Sequence, residues 1–391
     1  MSTKFFKILH KSKKSKARLG KIHTYHGTII TPSFVPCATK GTLKGILPSL
    51  LKEIKIQVAF VNTYHLVMSP GTSVIKKSGG IHAFSKLNIP LMSDSGGFQV
   101  FSLGENNRKK NTRRADVRGD EQPLVIKISK DGVTFRSTFK GEIFLFTPEK
   151  SIEYQIDIGS DIMMAFDECT YYPATHKYAK EAMERTHKWL LRCIKKKKEL
   201  KEKDYKRYLY GIIQGGTHKD LRNISSEFVS SQKTDGVAIG GVSVHETKKE
   251  MREQVKWASK YLPKEKPVHL LGVGQLDDIL DLVAYGIDTF DCVEPTRLAR
   301  VGKVFQKNKS NVLKTRSWNA IDIKNNDYRH DLSPLDKNCN CYVCTNFTKA
   351  YIHHLFKQKE LIGYSLLTYH NLKFMEDFFE RIREKIASDR L

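Results

Sequence analysis

Polar residues capable of acid–base or nucleophilic chemistry follow short apolar runs of the sequence, at the points where buried strands are expected to end. These residues are Asp94, Asp167, Gln214, the pair Gly240-Gly241 and Asp291. A single Asp after a strand is usually a turn or helix-capping residue. Several carboxylates at equivalent strand ends instead predict a site that binds a metal, transfers protons or attacks an electrophile.

A catalytic metal at such a site would need histidine ligands, typically a His-x-His pair after the first strand. No expected strand end carries His-x-His, and His65 and His269 are isolated. The carboxylates themselves are therefore expected to act, one as nucleophile and one as acid or base, which is the arrangement that breaks a glycosidic bond. An amide, a carboxylate and free backbone groups at a diglycine are suited to reading a guanine-like edge.

Eight apolar runs with helical segments between them must position these residues. The runs are Phe34–Ala38, Val58–Asn62, Pro90–Asp94, Asp161–Asp167, Leu209–Gln214, Gly236–Gly241, Val268–Val273 and Asp288–Val293. Amphipathic helices fit the gaps, for example Lys177–Lys198, Thr247–Tyr261 and Asp277–Tyr285. This alternation predicts an α/β fold, a (β/α)8 TIM barrel whose C-terminal strand ends meet at one mouth. A doubly wound open sheet is the alternative.

The gap between Asp94 and Asp161 is long enough to hold an insertion, at about 104–145. It contains the basic stretch 105–121, followed by alternating residues in Val125–Ile128 and Val133–Phe139. These features predict a basic loop and then a β-hairpin. The basic stretch either contacts RNA or is a solvated loop without a partner.

The balance of charged residues indicates which class of molecule the protein binds. The chain of 391 residues has 67 Lys+Arg against 42 Asp+Glu, a formal net charge of +25. Such an excess favours binding to polyanions through counterion release, and the basic clusters lack the interleaved apolar residues of a membrane-surface helix. The N-glycosidic bond of a nucleotide within RNA is thus the expected target. No run approaches the roughly 20 apolar residues of a membrane span, and we expect a cytoplasmic protein without a membrane partner.

Three of the seven cysteines, Cys339, Cys341 and Cys344, are close together in the sequence. Their Cys-x-Cys-x-x-Cys spacing is typical of tetrahedral zinc in a reducing compartment, and spacing alone leaves the fourth ligand open among His353, His354 and His370. The remaining cysteines are expected to be ordinary buried or site-adjacent thiols: Cys37, Cys169, Cys193 and Cys292. The pattern changes after about residue 305, which predicts a catalytic barrel in 1–305 and a zinc-binding, helical subdomain in 306–391. The helices expected there are Thr348–Phe356 and Asn371–Ala387.

Several long segments carry a family resemblance. They are SDSGGFQVFSL (93–103), FDEC (166–169), GIIQGG (211–216), AIGGVSV (238–244) and TFDCVEPTR (289–297), with further likeness in TYHGTIITPSFVP, NTYHL (62–66) and CNCYVC through YHNL. Over nearly the whole chain the sequence resembles tRNA-guanine transglycosylases, also called queuine tRNA-ribosyltransferases, of the bacterial type. These pentosyltransferases exchange the wobble guanine of GUN-anticodon tRNAs (those for Asp, Asn, His and Tyr) for a 7-deazaguanine in queuosine formation.

The resemblance implies a role for each matching residue. Asp291 is expected to be the nucleophile that forms a covalent tRNA–enzyme intermediate, and Asp94 the general acid/base. The residues expected to hold the base are Asp167, Gln214, Ser95, Cys169, the backbone at Gly241 and Val242, the stacking Phe98 and the apolar Leu271. Arg297 and Arg300 match tRNA-binding residues.

The same resemblance selects His370 as the fourth ligand of one structural Zn²⁺ per chain. It implies no organic cofactor, a homodimer, and a β-hairpin at the N-terminus that caps the barrel.

The sequence also departs from the bacterial pattern. The differing positions are Val242, His245, Glu294, Leu298 and Val301, and the insertion around 105–121 is longer than usual. Val242, His245 and Glu294 are expected near the 7-substituent or the tRNA, so the incoming base is either 7-aminomethyl-7-deazaguanine or the bulkier queuine. Two other hypotheses are a non-catalytic RNA-binding subunit, disfavoured by the presence of both Asp94 and Asp291, and a metal-dependent barrel hydrolase.

Overall fold

Eight parallel strands form the centre of the molecule in a computed structural model that describes residues 4–97, 124–136, 141–200, 202, 204–307 and 318–391. In chain order, the strands of the described residues, which include these central ones, are β1 (Phe6–Lys11), β2 (Arg18–Thr24), β3 (Gly27–Thr31), β4 (Ser33–Pro36), β5 (Ala59–Val61), β6 (Leu91–Ser93), β7 (Leu124–Ile128), β8 (Val133–Arg136), β9 (Ile143–Phe146), β10 (Ile162–Met164), β11 (Tyr208–Ile213), β12 (Gly236–Ile239), β13 (Val268–Leu270), β14 (Thr289–Cys292), β15 (Lys303–Lys307) and β16 (Trp318–Asp322).

Helices follow most of the central strands. They are α1 (Leu51–Ile54), α2 (Thr63–Met68), α3 (Thr72–Lys77), α4 (Ile81–Ser85), α5 (Pro148–Ile158), α6 (His176–Glu199), α7 (Lys219–Ser231), α8 (Lys248–Ala258), α9 (Leu276–Ala284), α10 (Glu294–Arg300), α11 (Tyr342–Asn346), α12 (Lys349–Lys357) and α13 (Leu361–Ala387), with 3-10 turns at Pro48–Leu50 and Asn326–Tyr328. No helix in these ranges is both long and apolar enough to cross a membrane.

The central sheet has the order β4-β14-β13-β12-β11-β10-β6-β5, and every neighbouring pair is parallel. A single parallel bridge between Cys37 and Phe60 joins the two outer strands, so the sheet curves almost completely into a barrel. The predicted TIM barrel is confirmed, and the open sheet is wrong. All eight runs contain a strand because their residues are buried on both faces, as parallel barrel strands require.

The N-terminal end of the barrel is covered by an antiparallel sheet of β1, β2 and β3. Phe6, Ile22 and Ile29 from this sheet are buried in one cluster with Met92 and Ile162 of the barrel strands. The expected N-terminal cap is present, with a third strand added to the predicted hairpin.

The insertion also forms a sheet, in which β8 pairs with β7 and β9. The predicted hairpin is confirmed over its described residues and gains β9 as a third strand. Residues 137–139 of the expected second strand lie outside the described residues, as does the basic stretch 105–121.

The C-terminal region packs on the barrel through α13. Phe379 of this helix lies against Phe34 and Phe290 of the barrel, at ring-centroid distances of 6.3 and 5.6 Å. The helix begins at Leu361 and not at the predicted Asn371. The prediction missed its first turns because they are apolar on several sides and so show no amphipathic pattern. The division at residue 305 stays a prediction, and β15 crosses that position.

Candidate active site

Asp291 is the residue before the last of β14 and is 9% exposed at the C-terminal mouth of the barrel. Its Oδ1 lies 3.0 Å from His269 Nε2 and accepts a hydrogen bond of 2.9 Å from the Gly272 amide. Among the described residues, its Oδ2 accepts a hydrogen bond from the Cys37 thiol alone, at the long distance of 3.8 Å. Two donors thus fix one oxygen and leave the other weakly held, as a carboxylate nucleophile requires.

Asp94 follows β6 and faces the same mouth. It accepts hydrogen bonds from the Asn62 side chain and, at 2.6 Å, from the Thr63 amide. Burial raises the pKa of Asp94 to about 7, the hydrogen bonds from Thr63 oppose this rise, and the nearby charge of Asp291 adds to it. A carboxyl with a pKa near neutrality can both give and take a proton, as a general acid/base must.

Asp167, Gln214 and Ser95 form a buried polar group beside these carboxylates. Asp167 accepts hydrogen bonds from Ser95 Oγ at 3.0 Å and Gln214 Nε2 at 2.7 Å. Burial raises the pKa of Asp167 to about 6, although both hydrogen bonds oppose the rise. Gln214 Oε1 is buried and has no hydrogen-bond partner among the residues that the structure describes. An acceptor carboxylate next to an unpaired amide oxygen matches the donor-rich edge of guanine.

The diglycine after β12 completes this side of the mouth. A Cβ at Gly241, whose φ is +62°, would lie 2.2 Å from Gln214 Oε1, so only glycine fits. Val242 is buried, Leu271 is half-buried, and burial raises the pKa of the nearby Cys169 thiol to about 12. Cys169 is therefore a neutral thiol rather than a second nucleophile.

The remaining expected site residues have varied placements. Arg297 and Arg300 are exposed on α10, the helix that directly follows Asp291 and its strand. Phe98 lies outside the described residues. Of the departures, His245 is exposed, while Glu294 is half-buried with Gln275 at 3.5 Å, and burial raises the pKa of Glu294.

The cysteine cluster is a separate site formed by the loop before α11, by α11 itself, which contains Cys344, and by α13. The donor atoms of Cys339, Cys341, Cys344 and His370 all lie within 4.8 Å of one another. His370 Nδ1 faces the three sulfurs, and its Nε2 lies 2.7 Å from the Phe305 carbonyl oxygen, which orients the ring. Three thiols and an oriented imidazole fit a tetrahedral metal.

The other two candidate ligands are excluded from this cluster. His353 Nδ1 lies 2.8 Å from the Ile323 carbonyl oxygen in the core, and His354 is exposed. Both lie in the predicted helix of this region, where His353 faces the core and His354 faces solvent.

Four residues at the mouth were missed by the sequence reasoning: Asn62, Arg222, Glu246 and His269. Glu246 accepts hydrogen bonds from the amides of Ser243 and Val244 and so holds the loop after the diglycine. A polar residue within or at the end of an apolar strand run was the available signal, and Asn62 and His269 carried it.

A sequence model of the family described as queuine tRNA-ribosyltransferase (TGT) matches residues 12–391. The chain belongs to this family. It is 44% identical to the queuine tRNA-ribosyltransferase of Caldanaerobacter subterraneus subsp. tengcongensis and 43% to that of Halothermothrix orenii, each over 386 residues that cover 99% of this chain and 94% of the relative. Identity to the queuine tRNA-ribosyltransferase of Acetivibrio thermocellus is 41% over 391 residues, 100% of this chain and 96% of the relative.

The expected family, and with it the class of a pentosyltransferase, is confirmed. In this member of the queuine tRNA-ribosyltransferase family, the segments that carried the resemblance supply the polar residues at the barrel mouth, at the ends of β6, β10, β11, β12 and β14.

Proposed function

We propose that this protein exchanges the wobble guanine of GUN-anticodon tRNAs for a 7-deazaguanine, 7-aminomethyl-7-deazaguanine in the first place and queuine as the alternative. The observation that carries the proposal is the buried group of Asp167, Gln214 and Ser95 beside Asp291 and Asp94. That group matches a guanine edge, and the two aspartates match the chemistry of an N-glycosidic bond.

In the proposed mechanism, the weakly held Oδ2 of Asp291 attacks C1′ of the ribose. The C1′–N9 bond breaks, and its electron pair leaves with guanine, which takes a proton from Asp94. The incoming base then loses a proton to Asp94, its N9 attacks C1′, and Asp291 is released as a carboxylate. A 7-deazaguanine lacks the nitrogen whose protonation would make it a good leaving group, so the exchange is close to irreversible.

The remaining proposals concern cofactor and assembly. Cys339, Cys341, Cys344 and His370 would hold one Zn²⁺, which closes its shell with protein ligands and so stabilises the fold. The proposed tRNA substrates are those for Asp, Asn, His and Tyr. Since these tRNAs act in the cytoplasm, we also propose that the protein is cytoplasmic. We also propose a homodimer, because one tRNA is larger than the footprint of a single barrel.

The decisive test is incorporation of labelled guanine into a tRNA transcript by the purified chain. We expect exchange by the wild type, and no exchange by Asp291→Ala although tRNA still binds. Retained exchange in that variant would contradict the role of Asp291, and no exchange by the wild type would favour a non-catalytic RNA-binding subunit.

The same transcript distinguishes the two bases. Offered side by side, 7-aminomethyl-7-deazaguanine is expected to show the higher kcat/KM. A preference for queuine would instead support the alternative base.

A further inference from the structure

Arg222 of α7 is completely buried behind the loops that follow β11 and β12. Its Nε donates to the Gly216 carbonyl oxygen at 2.7 Å, and its Nη1 to those of Gly240 at 2.6 Å and Ile213 at 3.4 Å. Its Nη2 donates to the Gly241 carbonyl oxygen at 2.6 Å and to Gln254 Oε1 at 2.7 Å. The five N–H groups of the guanidinium thus face five acceptors.

None of these acceptors is a carboxylate, which is unusual for a buried cation. Burial lowers the pKa of Arg222 to about 10, so the side chain stays charged at neutral pH. Its charge is compensated by carbonyl dipoles of the loops after β11 and β12. The first of these loops begins with Gln214 and the second contains Gly241, two residues proposed to hold the base.

The hydrogen bonds of Arg222 fix the direction of two peptide planes. The peptide bonds after Gly240 and Gly241 are trans, so each carbonyl oxygen points opposite to the N–H of the next residue. Because Arg222 holds both carbonyl oxygens, the N–H groups of Gly241 and Val242 must point away from it. A hydrogen bond from the Gly241 amide lowers the pKa of Cys169, which places this N–H on the side of Cys169.

We propose that Arg222 is a positioning residue that aims these two backbone N–H groups at the carbonyl oxygen of the purine. The inference rests on the proposed function, in which Asp167 and the backbone at Gly241 and Val242 hold the base, and adds the residue that orients this backbone. Lysine cannot replace Arg222, because an ammonium has three donors and no planar fork.

The test compares equilibrium binding of guanine and 2-aminopurine, which lacks the carbonyl oxygen, to the full-length protein. In the wild type we expect tighter binding of guanine. The measured ratio is the Kd of 2-aminopurine divided by the Kd of guanine. In Arg222→Lys we expect this ratio to fall roughly tenfold, since one or two hydrogen bonds to the carbonyl oxygen of guanine are lost. With saturating tRNA, the KM for guanine should rise more than kcat falls.

Ser226→Ala is the matched control. Ser226 lies one helical turn along α7, is also buried, and donates to the Ala258 carbonyl oxygen at 2.7 Å, at the end of α8 and outside both loops. It should lower the melting temperature without changing the Kd ratio. If Arg222→Lys fails to fold, Gln254→Leu removes one acceptor of the guanidinium and should lower the ratio to a smaller extent.

An unchanged Kd ratio in the folded variants would overturn the role of Arg222. That outcome is distinct from failure of the proposed function, which is measured by guanine exchange in the wild type and not by base binding.

Discussion

Burial acts alike on two of the carboxyl groups at the mouth, yet the two pKa values serve different steps. In the proposed mechanism Asp94, with a pKa of about 7, gives and takes the proton of the base, whereas Asp167, with a pKa of about 6, must be ionised to accept hydrogen bonds from guanine. Asp291 instead has one oxygen fixed by two donors. The different surroundings of the three aspartates thus suit the three tasks proposed for them.

The first prediction concerns pH. Release of guanine needs protonated Asp94, so its single-turnover rate should fall as pH rises above about 7. Binding of guanine needs ionised Asp167, so the KM for guanine should rise as pH falls below about 6. Asp94→Asn should abolish the fall at high pH and leave the change at low pH; loss of both together would contradict the assignment.

A second prediction concerns His269, which lies between Thr289 Oγ1, at 2.8 Å, and Asp291 Oδ1. The fully buried ring also stacks on Phe60 at 5.5 Å, so its position is fixed. His269→Phe removes one donor to Asp291 and should lower kcat about 10- to 100-fold with little change in the KM for guanine. His269→Gln keeps an N–H near the same place and should recover part of the rate. Equal rates in the Phe and Gln variants would exclude this role.

At the scale of the elements, one carboxylate ties the N-terminal sheet to the barrel. Asp161, immediately before β10, lies 2.9 Å from His26 Nδ1 and 3.3 Å from His82 Nε2, and accepts the Leu91 amide at 2.9 Å. The two imidazole rings stack at 3.4 Å. His26 belongs to the turn between β2 and β3, so this cluster joins the cap to β6 and β10.

The third prediction is that His26→Ala lowers the free energy of unfolding by about 1–3 kcal/mol, since it removes a hydrogen bond to a buried carboxylate. His23→Ala, in β2 with a neutral partner, is the control and should cost less. The hydrogen bonds from His26 and His82 hold the pKa of Asp161 well below its ordinary value. The stabilisation is therefore present above about pH 4 and lost as pH falls further. Denaturant titrations across pH test both statements. Equal losses of unfolding free energy in the two variants would contradict a special role of His26 in joining the cap to the barrel.

At the scale of the whole molecule, the net charge of +25 predicts strongly salt-dependent tRNA binding. Arg297→Ala and Arg300→Ala should each reduce the slope of log Kd against log salt by about 1, because both side chains are exposed next to the mouth. Lys198→Ala, at the far end of α6, should leave the slope unchanged. Filter binding at several salt concentrations measures the slope. An equally large decrease in slope for Lys198→Ala would show that closeness to the mouth is not what determines the effect.

The last prediction concerns the cysteine cluster, which links the loop before α11 to the long α13. Removal of the metal by a chelator, or His370→Ala, should lower the melting temperature and release bound zinc. His354→Ala should do neither, because that side chain is exposed on α12. Full zinc content in His370→Ala would exclude His370 as a ligand.

The sequence by itself determined the eight strands, the polar residues that follow them and the cysteine triplet. Burial on both faces forces a continuous apolar run, and strand ends and ligand spacings are local properties of the chain. Asp291, Asp94 and Asp167 were therefore identifiable one by one.

Only the tertiary structure decided which distant residues act on them. His269 fixes one oxygen of Asp291, and Arg222 holds the glycine loops from a helix behind the site. Neither contact has a local signature, since hydrogen bonds between separate strands and helices depend on how the barrel closes. The same holds for Asp291 itself: its strand end placed it at the mouth, and its neighbours in space leave Oδ2 the weakly held oxygen.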